Sequence, residues 1–160
     1  MQIIVIIVGL FAYNNYVDQG KIQFYEKQME FYINASTVTS ILATEDSITS
    51  PEYLKARKEF NHLYWGKLSI VETKEVERSM ILFGHLLDCY EKQQICNDCL
   101  ADMKTLAEAK YISSESMHDA KVSQSVLMKA SLYLAHEARA HILNYWLSWS
   151  ERKDYNRVPK

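Results

Sequence analysis

Amphipathic periodicity runs nearly unbroken along this chain and limits what it can become. Only four Gly and two Pro occur in 160 residues, too few turn formers for the many tight reversals of a sandwich or barrel. Apolar side chains recur at intervals of three and four, the spacing that lines one face of an α-helix. The expected class is all-α, an antiparallel bundle of about four helices. The length fits one domain with a real hydrophobic core and leaves too little chain for two.

Phe24, Phe31, Ala35, Val38 and Leu42 mark the first amphipathic face, so the first helix is expected to run to about Thr44. In the following TEDSITSP stretch, Ser50 is placed as N-cap and Pro51 at the first helical position. The second stripe is Tyr53, Ala56, Phe60, Leu63 and Tyr64, continuing through Trp65 and Gly66 to about Val71. Gly66 costs about 1 kcal/mol in a helix and offers a point of close helix approach. Thr73 is the next N-cap, with Glu75 and Glu77 complementing the helix dipole. Val76, Met80, Phe83, Leu87 and Tyr90 form the third stripe, with His85 and Cys89 on the opposite, outer face. The pattern fades at EKQQ, resumes at Leu100, Met103, Ala107 and Tyr111, and breaks again at SSES. Leu127, Ser131, Leu134, Ala138, Ile142, Tyr145 and Trp149 define the last helix, up to the polar tail ERKDYNRVPK. The expected core contains Phe60, Leu63, Phe83, Leu87, Leu134 and Ala138.

The opening MQIIVIIVGLFAYNNY raises a separate question. From Ile3 to Ala12 every residue is apolar or Gly, and Tyr13 and Tyr16 follow where a membrane aromatic belt would sit. At about 1.5 Å per residue the run covers roughly half of a ~30 Å hydrocarbon core, short of the usual ~20 residues. No Lys or Arg precedes it and no A-x-A-like site follows, which argues against a secretory signal. No second strand of similar quality exists to pair with it as β-structure. The expectation is a membrane anchor in residues 1–17, either part of a longer span or a short span helped by bilayer thinning, with a buried core helix as the alternative. A helical bundle at 18–150 and a polar tail at 151–160 complete the division. Lys21 and Lys27 follow the run, so the positive-inside bias places the bulk of this single-pass chain in the cytoplasm.

The run LYWGKLSIVETKEVE, with the apolar opening and the final helix around it, resembles a group of uncharacterised small bacterial proteins with a membrane segment and a helical cytoplasmic portion. The resemblance covers about the first half of the chain. It implies no activity and no functional residue.

A net charge of −2 offers no general attraction to nucleic acid, and no nucleic-acid-binding motif is present. Three cysteines cannot all pair within the chain and do not form a secreted disulfide framework, so a reducing compartment fits better. Two E-x-x-H pairs, Glu59/His62 and Glu115/His118, have the spacing used in di-iron bundles, but helical phase turns both histidines toward solvent. HEARAH carries one residue too many for a zinc protease: His136 and His141 diverge by about 140° on a helix. His141 is expected as a boundary histidine and His136 as a solvated one. The Asn34-Ala35-Ser36 sequon lies within a helix. Tyr64, Trp65, Tyr145, Trp146 and Trp149 are read as packing, with any exposed subset a partner surface.

CNDC carries the one constellation with definite chemistry. Cys96 and Cys99 have C-x-x-C spacing, and His85 and Cys89 lie four apart on a helix. These four could form a structural Cys₃His zinc site if the chain reverses tightly after EKQQ. The leading functional expectation is nonetheless a membrane-anchored interaction module that is not an enzyme. It would act as an adaptor, sensor or accessory subunit, contacting lipid at its N-terminus and a protein partner or second copy through the bundle, without a cofactor. The alternative is a metal-binding or redox protein, with zinc held by His85, Cys89, Cys96 and Cys99.

Overall fold

In a computed structural model the chain is all-helical. The structure describes residues 2–67, 73–93, 96–113 and 121–145, and only the backbone of 2–21, 67 and 145. The helices are α1 (Gln2–Thr44), α2 (Pro51–His62), α3 (Lys74–Lys92), α4 (Asn97–Glu108) and α5 (Gln124–Tyr145). A π-helical turn, Leu63–Lys67, follows α2 directly. Among the described residues no helix is long and apolar enough to cross a membrane, so the expected transmembrane span is not supported.

Local chemistry explains most of the helix ends. Ser50 caps α2 by accepting a hydrogen bond from the Tyr53 amide at 3.0 Å, with Pro51 opening the helix. Thr73 has the extended backbone of an N-cap before α3, yet its side chain makes no capping bond. Gln93 ends α3 in the left-handed region at φ 56°. Lys110 does the same after α4 at φ 64°, where the amides of Lys110 and Tyr111 bond back to Ala107 and Leu106 as in a Schellman motif.

The helices share one apolar core. α1 packs on α5 and α2, while α3 packs on α5 and α4. All six residues expected in the core, Phe60, Leu63, Phe83, Leu87, Leu134 and Ala138, are buried. Phe60 and Phe83 join α2 to α3 with ring centroids 5.5 Å apart. Between α1 and α5, buried Thr39 and Ser131 pair their hydroxyls at 2.9 Å, so Ser131 enters the apolar stripe without an unsatisfied group. Along α1 no side chain from Ile22 to Lys27 is buried, and among the described side chains the first buried one is Gln28.

Several expectations need correction. Of the two residues expected on the outer face of α3, His85 is exposed, whereas Cys89 is buried where α3 meets α4, and Leu82 and Leu86 widen the buried face beyond the expected stripe. In α4 the buried residues are Cys99, Met103 and Leu106, whereas Leu100 is exposed and Ala107 half-buried. Gly66 sits beneath no helix, since a Cβ there would meet nothing within 4 Å. Trp65 is 78% exposed and therefore not core packing. Glu115/His118, Trp146, Trp149 and the polar tail lie outside the described residues.

Candidate functional site

The α3–α4 hairpin collects the chain's cysteines. Cys89 lies in the last turns of α3, and the left-handed Gln93 then turns the chain so that Cys96 becomes the N-cap of α4. Cys99 follows at the third helical position, where its amide donates to Cys96 Sγ at 3.4 Å. The three sulfurs all lie within 4.8 Å of one another. Cys96 Sγ is 2.8 Å from Cys99 Sγ and 3.7 Å from Cys89 Sγ. Cys89 and Cys99 stand as a disulfide-bonded pair with Cα atoms 6.7 Å apart, leaving Cys96 as the free, exposed thiol.

His85 lies one turn before Cys89 but does not join the sulfurs. Its carbonyl oxygen faces Cys99 Sγ at 4.0 Å, while its imidazole Nδ1 lies 3.0 Å from Asp102 Oδ2 on α4. Burial raises the Asp102 pKa, and the hydrogen bond and charge of His85 oppose that rise. The structure thus brings together three of the four residues singled out by spacing and gives His85 a different partner, Asp102, which spacing had not singled out. Asp102 lies three residues after Cys99 on a helix whose phase the apolar pattern misplaced.

A second cluster bridges α2 and α3. Tyr53 donates its hydroxyl to Glu91 at 2.8 Å, and Arg57 pairs with Glu91 at 3.1 Å and Asp88 at 2.6 Å. Burial and then the Glu91 bond raise the Tyr53 pKa far above its ordinary value. Beside this cluster is a shallow hollow of about 250 Å³, edged by Arg57, Tyr64, Trp65, His85 and Asp88. Its charged groups are already paired with one another, so the cluster is accounted for as a clasp between helices.

Among the described residues the other histidines, His62, His136 and His141, each have a separate neighbour. His62 is exposed, 4.0 Å from Glu59. His136 is exposed but not merely solvated: its Nδ1 lies 2.5 Å from the Tyr111 hydroxyl. His141 meets the buried Tyr32 ring edge-on at 5.8 Å. No family model, no curated protein and no solved structure matches the chain.

Proposed function

We propose that the chain is a membrane-associated helical interaction module: an antiparallel bundle that binds a protein partner or a second copy, carried on a helix whose N-terminal end engages lipid. The observation that carries this reading is the course of α1. At about 1.5 Å per residue, its 43 residues extend about 64 Å, against about 33 Å for the 22 residues of α5. Its buried side chains among the described residues fall between Gln28 and Ala43. The helical backbone continues N-terminally through the apolar run Ile3–Ala12. With no helix among the described residues long and apolar enough to cross, the proposed contact is insertion of one end of α1.

Flotation of the full chain with vesicles of phosphatidylcholine and phosphatidylglycerol tests this. The wild type is expected to float with the vesicles, and Ile7→Glu, in the middle of the apolar run, to shift it to the unbound fraction. Wild-type protein that stays wholly in the unbound fraction overturns the reading.

A further inference from the structure

We propose that the reduced α3–α4 hairpin is a three-thiolate site for a thiophilic divalent cation, zinc, held by Cys89, Cys96 and Cys99. The proposal is independent of the lipid-contact reading, since none of these residues lies on α1.

Cys89 lies near the end of α3 and Cys96 and Cys99 at the start of α4, and their three sulfurs lie within 4.8 Å of one another. A tetrahedral zinc with sulfur ligands at about 2.3 Å sets neighbouring sulfurs about 3.8 Å apart. The Cys89–Cys96 separation of 3.7 Å already has that value, and the Cys96–Cys99 separation of 2.8 Å must open by about 1 Å. The exposed Cys96 thiol opens by swinging outward, while Cys89 and Cys99, once reduced, must part to the same spacing by side-chain rotation across a Cα separation of 6.7 Å.

Electrostatics favour the same assignment. Metal ligation requires thiolates, and the start of a helix is where backbone amides best accommodate negative charge. Cys96 occupies that position and already accepts the Cys99 amide. Cys89 and Cys99 are buried, where an uncompensated thiolate is costly and one neutralised by a cation is not. A disulfide between these two accounts for two sulfurs, whereas a cation accounts for all three. His85 is engaged by Asp102, and among the described residues no imidazole or carboxylate joins the cluster, so the fourth position is left to water.

The chemistry balances simply. An added phosphine gives two electrons to the Cys89–Cys99 disulfide and is oxidised to its oxide, one water supplying the oxide oxygen and the two thiol protons. Zinc then replaces the thiol proton of each cysteine and releases it to solvent, with no change in oxidation state. Disulfide and metal are exclusive states of the same sulfurs, so reduction controls binding.

The test uses the full chain, reduced with a phosphine, stripped with a chelator and titrated with zinc. The expected result is one zinc per chain by elemental analysis after gel filtration, and slower maleimide labelling of the cysteines. Cobalt(II) at the same site is expected to show a thiolate charge-transfer band. Cys96→Ser changes an exposed side chain, so helicity is expected to survive while zinc affinity falls by more than the about 10–100-fold typical of losing an outer-shell partner. Reduced wild type that retains no more zinc than Cys96→Ser, or zinc held equally by the oxidised chain, overturns the proposal.

Discussion

His141 couples the packing of α5 to pH. Its ring meets Tyr32 of α1 edge-on, and burial lowers its pKa, with Glu75 of α3 opposing that shift. Its folded pKa therefore lies below its unfolded value of about 6.5, so between the two the unfolded chain binds more protons. Stability from this residue is complete above about pH 6.5 and declines as pH falls toward the lowered folded pKa. Denaturant midpoints measured from about pH 7.5 down to about 5.5 are expected to fall, and His141→Gln to reduce that fall. An unchanged pH slope in the variant would show that the ring is not the source. The boundary position of His141 was legible from its place at the edge of the α5 stripe. The burial of Cys89 was not, because α4 folds over that flank of α3 and brings Cys96 and Cys99 onto it, which the α3 stripe alone does not reveal. The meeting of the sulfurs was hidden for another reason: it depends on a left-handed Gln93, and Gln carries none of the Gly or Asn signal that marks such a turn.

The two helix starts at Ser50 and Thr73 give opposite expectations from similar sequence signals. Ser50 makes its capping bond, so Ser50→Ala is expected to cost about 1 kcal/mol. Thr73 makes none, and its Oγ1 is buried without a hydrogen-bond partner among the described residues, so Thr73→Ala is expected to be neutral or slightly stabilising. Urea midpoints of the two variants provide the comparison, and an equal loss for both would mean that Thr73 caps α3 in solution. The start of α2 could be read from Ser50-Pro51 because both residues act within one turn. α4 was harder, since its stripe was phased on Leu100 and Ala107 while Cys99 and Leu106 face the core. Cysteine is among the residue types most often buried. Counting Cys99 among the apolar residues would have rotated the expected face by one residue, about 100°.

At the scale of the molecule, scarce turn formers and three-four spacing were enough to identify an all-helical chain, because both act through local backbone geometry. The fourth described helix was obscured because EKQQ weakened the pattern just where α3 yields to α4. The N-terminal run was the least legible, since an apolar helix end can be covered by lipid, protein or neither, and spacing does not distinguish them. The burial pattern of α1 nevertheless separates its contribution to folding from that to association. Leu42 and Ala43 are fully buried against α2 and α5, while Ile22, Gln23 and Phe24 are exposed. Leu42→Ala is therefore expected to destabilise the fold by about 2–5 kcal/mol through lost burial and a residual cavity. Removing residues 1–17 is expected to leave the urea midpoint within the about 0.5 kcal/mol range of surface changes, with the remaining chain still helical. Both variants are compared with the full chain by circular dichroism under one urea series. A truncated chain that aggregates, or unfolds as early as Leu42→Ala, would mean that the opening residues belong to the core and that α1 folds as one cooperative unit along its whole length.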